Sequence, residues 1–180
     1  MKHQPNPARS AALDAHAAAS LYHQQAAAHH HEAGRHFQSG KDFAHAAHQA
    51  SLAHGHALLG IDMGSHAADY YRRNHDDLAT AGSGPITRAS VEAVEAAGAL
   101  EAGLGVSAHH ARAAIHHERA ARLHLQAMES CDASDIALAI SDTGSACTEA
   151  QCALFHGDEA AKRHAGEDAR RLPAVEHPAA

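Results

Sequence analysis

Apolar and polar positions recur at helical spacing along nearly the whole chain, and turn-forming residues interrupt them at a few places. The first segment starts near Ala8, after Pro7, and stops at Ser39-Gly40. The second starts near Asp42, an N-cap type of residue, and runs to about Arg73. Residues 74–85 (NHDDLATAGSGP) read as a linker. The third segment starts near Ile86 and ends near Glu129, with Gly98, Gly103 and Gly105 marking a possible division at 98–107. The fourth starts near Ser134, after Cys131-Asp132, and runs to about Ala169; a frayed tail is expected over 170–180. No run alternates apolar with polar for long enough to be a strand. The pattern predicts an all-α protein: one domain, an antiparallel four-helix bundle of two helical hairpins, 8–73 and 86–169. Ala28-His29-His30-His31-Glu32 in one half and Ile115-His116-His117-Glu118 in the other hint that the hairpins are duplicates.

Composition changes this picture in one respect. Of 180 residues, 47 are Ala and only 25 are Leu, Ile, Val or Phe, a content at which disorder is an option. Ala is the best helix former and the net charge of −7 is modest, so helices packed closely through Ala are the expectation. No stretch is apolar enough to span a membrane, and Met1–Pro7 shows no signal-type apolar run, which points to the cytoplasm. Three Cys without framework spacing agree with a reducing compartment. Acidic residues outnumber basic ones 21 to 14, against a nucleic-acid partner. No phosphate-binding loop, nucleophile elbow or haem-attachment CxxCH is present, and the chain is read as a non-enzyme. An Ala-lined exterior groove leaves a homodimer open.

The chemistry lies in 21 His. At about 100° per residue, His16, His23 and His30 form one row of the first helix, continued by Phe37, with Asp14, Glu32 and Arg35 turned away. In the second helix, His45, His48, His56 and His66 fall on or beside the arc of Leu52, Leu59, Met63 and Tyr70. In the third, His109, His116, His117 and His124 oppose the face of Arg112, Arg119, Arg122 and Glu129. The fourth reads as a plain covering helix, its apolar row Ile136, Ile140, Cys147 and Leu154, its polar stripe Asp135, Asp142, Glu149, His156 and Arg163. Eleven His are thus expected to face the core.

A buried imidazole costs free energy unless its nitrogens are bonded or ligated, and long helices have few spare carbonyls to offer. Transition-metal ions, several per chain, meet that demand, and imidazole favours copper or zinc. Spacing limits the type of site. No two His are four apart and only His45 and His48 are three apart, so a zincin motif is absent. No Glu precedes a His by three, which disfavours a ferritin-like di-iron centre. The seven-residue recurrences His16/His23/His30, His109/His116 and His117/His124 rise about 10.5 Å per step, too far for one ion. Ligands at each level must come from different helices, which predicts a column of similar sites suited to storing or buffering ions. Met63, Met128 and Cys147 are possible soft ligands.

This design resembles the bacterial four-helix-bundle copper-storage proteins, whose cores are lined by regularly spaced Cys, with His here in place of their repeated Cys-x-x-x-Cys. The resemblance puts His16, His23, His30, His45, His56, His66, His109, His116 and His124 in the ligand role. Over the first two helices the chain also resembles short Ala/His-rich bacterial proteins. Two alternatives stay open at this level: a haem held between facing His, and a pH-responsive structural bundle with a hydrated His core.

Overall fold

The computed structural model describes residues 6–75 and 103–171, with side chains through Glu167, and all regular structure within them is helical. Four helices lie among the described residues: α1 (Pro7–Ser39), α2 (Phe43–Asn74), α3 (Val106–Asp132) and α4 (Ile136–Arg171). The expected linker, apart from its first residue Asn74 and the adjoining His75, lies outside the described residues, as does the third segment from Ile86 to 102. Gly103–Gly105, within the expected 98–107 stretch, is not helical, and α3 begins at Val106.

Local chemistry sets the helix ends. The Asn6 side chain accepts from the amide of Ala8, ahead of Pro7 in the first turn, so α1 starts one residue earlier than Ala8. Gly40 closes α1 in the left-handed conformation, at φ 67°, with its amide bonded to the Phe37 carbonyl. Asp42 caps α2 through the amide of His45 at 2.9 Å. Between α3 and α4 Ser134 takes the left-handed turn position and Asp135, rather than Ser134, caps α4 through the amide of Leu138. Arg9 reaches across from α1 to bond the last carbonyls of α3, at Cys131 and Asp132, where a cation complements the helix dipole.

The helices make an antiparallel four-helix bundle in which α1 packs on α2 and α3, and α4 packs on α3 and α2. The pairs α1–α2 and α3–α4 each form a hairpin; residues 86–102 of the expected second hairpin lie outside the described residues. The buried faces of α2 and α4, however, are made mainly of Ala and Gly. On α2 they are Ala46, Ala53, Ala57, Gly60, Gly64 and Ala67, with Tyr70 and Tyr71 at the end. This face lies roughly 100° around the helix from the expected Leu52/Leu59/Met63 arc; Leu59 is 45% exposed. The α4 face is likewise Ala139, Ala146, Ala150, Ala153 and Ala160, and Cys147, expected inside, is exposed. The reason is steric: both helices lie over imidazole rings carried by α1 and α3, and only the smallest residues leave room.

Conventional apolar packing closes the two ends. At one end Tyr70, Tyr71, Cys131 and Ile140 cluster with Ala12 and Ala139. At the other, Phe37 and Phe43 meet edge to face at 5.2 Å, and Phe37 packs at the same distance on His164. No described helix is long and apolar enough to cross a membrane.

Candidate metal centre

Between these ends runs a column of histidines. His16, His23 and His30 of α1 and His110, His117 and His124 of α3 all project into the same seam, and each is at most 3% exposed. Heptad spacing on two antiparallel helices makes them interdigitate. Starting from the Tyr71 hydroxyl, 2.9 Å from His16 Nε2, the order is His16, His124, His23, His117, His30, His110. Successive ring centroids are 5.3–5.6 Å apart along the whole series. The middle four rings stack at interplanar angles of 6–21°, and the two end pairs tilt.

Glycines give the rings their room. A Cβ on Gly60 would stand 2.7 Å from His23 Cε1, and one on Gly64 would stand 2.9 Å from His124 Cε1. On α4, Gly157 faces His30 in the same way at 3.2 Å. These positions on α2 and α4 complete the walls around rings whose stems belong to α1 and α3.

The two ends of the column are hydrogen-bonded and its middle is not. His16 and His124 bring their Nδ1 atoms to 3.2 Å, as do His30 and His110. Each contact requires opposite tautomers, one ring donating N–H and the other accepting. His23 and His117 are fully buried, and all four of their ring nitrogens lack a hydrogen-bond partner among the described residues. An unsatisfied buried polar group costs about 1–3 kcal/mol, so the centre of the column is a concentrated site of unmet bonding capacity.

Burial also fixes the charge state. Desolvation lowers His16, His23 and His110 from 6.5 to about 4, with His164 and His109 adding to the effect on His110. His30 and His124 fall to about 3 and His117 to about 2, again chiefly by burial, reinforced by neighbouring imidazoles. The column is therefore neutral at physiological pH, and neutral imidazole is the form that ligates metals.

A second, shorter row lies between α3 and α4. His109 Nδ1 is 3.2 Å from His156 Nδ1, both rings buried, and His116 stacks on His156 at 5.4 Å. His116 is only half-buried, and its Nδ1–H donates to Glu149 at 2.7 Å. A third group sits on the outer side of the α1–α2 pair. His56, half-buried, stacks on His29 at 5.2 Å, and Gln49 bridges His29 and His45.

The structure thus divides the eleven expected ligands. His16, His23, His30, His109, His117 and His124 are buried as expected. His45, His56 and His116 are half-buried, and His48 and His66 are exposed, which corrects the expectation that they face the core. For the four on α2 the cause is the turned face of that helix, which moves them to the flank; His66 lines an open groove of about 650 Å³ with Ala11, Ala15, Met63 and Tyr70.

Three buried His had not been expected: His110, His156 and His164. His110 belongs to a complete heptad row with His117 and His124 that matches the row on α1. His156 sits in the expected polar stripe but lies three residues after Ala153 and four before Ala160, beside the buried Ala row of α4.

Two nitrogens held about 2.0 Å from an ion at tetrahedral angles lie about 3.3 Å apart. The three Nδ1 pairs at 3.2 Å match that bite. Among the described residues no three column nitrogens lie within 4.8 Å of one another, so a third imidazole on one ion requires a ring to turn. Comparison with protein-family models, with curated proteins and with solved structures gives no match.

Proposed function

We propose that the protein binds several transition-metal ions, copper or zinc, through its buried imidazoles and stores or buffers them. The observation that carries this reading is the pair His23 and His117, whose four ring nitrogens are buried without partners at the middle of a neutral column. Ions would satisfy these nitrogens, and the 3.2 Å pairs above and below offer ready two-point ligation. Repetition of near-equivalent levels favours storage over catalysis, which uses one distinctive open site. Rings packed 5.3–5.6 Å apart leave no slot for a porphyrin between facing imidazoles, which favours ions over haem.

A second reading, a bundle whose stability reports pH, is favoured by the lowered basicity of six column rings. Metal analysis of untagged protein, prepared without affinity resin or chelators, separates the two. It is followed by competitive titration with Zn(II), Cu(I) and Cu(II), on the original chain and on His23→Leu and His117→Leu. Several equivalents, reduced in both variants, support storage. One equivalent or fewer, unchanged in the variants, refutes storage and leaves the pH-responsive bundle.

A further inference from the structure

The last two turns of α1 and the first turn of α2 hold a different kind of site. The Glu32 carboxylate, the His36 ring and the His45 ring each place one ligating atom within 4.8 Å of the other two, the one such three-residue group among the described residues. We infer that Glu32, His36 and His45 form a single-ion site for a divalent cation of the zinc class, separate from the column, with a coordination position open to solvent. The inference goes beyond the storage reading and does not depend on it.

The local structure builds the site from short-range features. Glu32 and His36 are four apart on α1 and so share a face, with His36 Nε2 and Glu32 Oε1 at 2.8 Å. His45 comes from the other side of the hairpin, its ring centroid 4.2 Å from that of His36. Its position follows from the tight turn: Gly40 supplies the left-handed residue, and the Asp42 cap bonds the His45 amide itself. Gln49, one turn further along α2, donates to His45 Nε2 at 3.1 Å and accepts from His29 Nδ1 at 2.7 Å. That ring nitrogen therefore already presents its lone pair to an electropositive group, and an ion takes the place of the amide hydrogen.

The donor set is chemically distinct from the column. Two imidazoles and one carboxylate suit a borderline divalent ion, and three protein ligands leave a position for water or for the ligand of an exchange partner. The Glu32 and His36 side chains are 32% and 29% exposed, so an ion reaches them without any rearrangement of the core. Arg35 is the built-in competitor: its guanidinium pairs with the same Glu32 carboxylate, and its own side chain is largely exposed. A cation and Arg35 cannot both use that carboxylate fully.

The test is Zn(II) titration of the metal-free full chain, by calorimetry and by the imidazole resonances of His36 and His45. Glu32→Gln and His36→Ala should each lose one equivalent with helicity unchanged, because both residues lie at the surface. Arg35→Ala should bind that equivalent about two- to fivefold more tightly, the range for releasing an exposed ion pair. In the His23→Leu/His117→Leu protein the equivalent should persist, whatever happens to the others. Full stoichiometry in both Glu32→Gln and His36→Ala, with those resonances unmoved by zinc, overturns this site and leaves the column reading intact. Loss of every equivalent in these two variants would instead establish this site and refute the column.

Discussion

Acidification of the metal-free protein should unfold it, and the size of the effect follows from six rings. His16, His23 and His110 sit at about 4, His30 and His124 at about 3 and His117 at about 2, against an ordinary value of 6.5 in the unfolded chain. A base whose folded pKa is depressed contributes nothing adverse above 6.5, where both states are neutral. As pH falls below 6.5 the unfolded chain takes up protons that the folded bundle refuses, and stability drains until the folded pKa is reached. Each ring contributes a loss of about 1.4 kcal/mol at pH ~5.5 and about 2 kcal/mol at pH ~5. Six rings give about 8 and about 12 kcal/mol, against a typical domain stability of about 5–15 kcal/mol. The bundle should therefore lose its helicity cooperatively between about pH 6 and pH 5. Urea titrations followed by far-ultraviolet circular dichroism measure this directly, and the slope of stability against pH should approach six protons taken up on unfolding. His117→Leu should recover about 2 kcal/mol at pH ~5 relative to pH ~7.5. A metal-free protein with full helicity and an unchanged urea midpoint at pH ~4.5 would refute the neutral, dry column.

Three further outcomes follow from the same geometry. Gly60→Ala should destabilise by about 1–3 kcal/mol despite the better helix propensity of Ala, since its Cβ meets the His23 ring at 2.7 Å. Gly55→Ala, with nothing within 4 Å of its added Cβ, should stabilise by about 0.5–1 kcal/mol; thermal melts of the pair decide whether the rings rest on α2. Tyr71→Phe leaves His16 Nε2 without its partner and should cost about 1–3 kcal/mol in urea denaturation. Ion uptake by the column near pH ~6 should release almost no protons, because its rings are already neutral, as calorimetry in two buffers of different ionisation enthalpy would show; a proton or more per ligating ring would contradict that charge state.

How far the sequence reaches depends on which physical signal governs each element. Helix ends were legible where they are set locally, by Pro7, Gly40, Asp42 and the turn after Cys131-Asp132. The α1 row was legible because His16, His23 and His30 recur every seven residues and run on into Phe37, with Asp14, Glu32 and Arg35 turned away. The second helix was misread because Leu, Met and Tyr ordinarily mark the core, whereas here the bulk comes from imidazoles on its neighbours. A face of Ala46, Ala53, Ala57, Gly60 and Gly64 is the visible sign of such an arrangement, once a partner with large rings is recognised. His110 was within reach of the heptad rule that found His117 and His124. The Glu32–His36 pair lies outside the di-iron pattern, which has Glu three residues before His, because its spacing is four.

The interlocking of α1 and α3 has a consequence for how the chain finds its native alignment. His16 faces His124, His23 faces His117 and His30 faces His110. Because each row repeats identically every seven residues, sliding one helix along the other by about 10.5 Å restores two of the three matches. The histidines alone are thus a poor vernier: they specify which faces meet and not how far along. Discrimination falls to the unrepeated contacts between the two helices, Arg9 on the α3 terminus, the Ser107 hydroxyl on the Gly34 carbonyl and His31 on Glu118, each of which fits a single alignment.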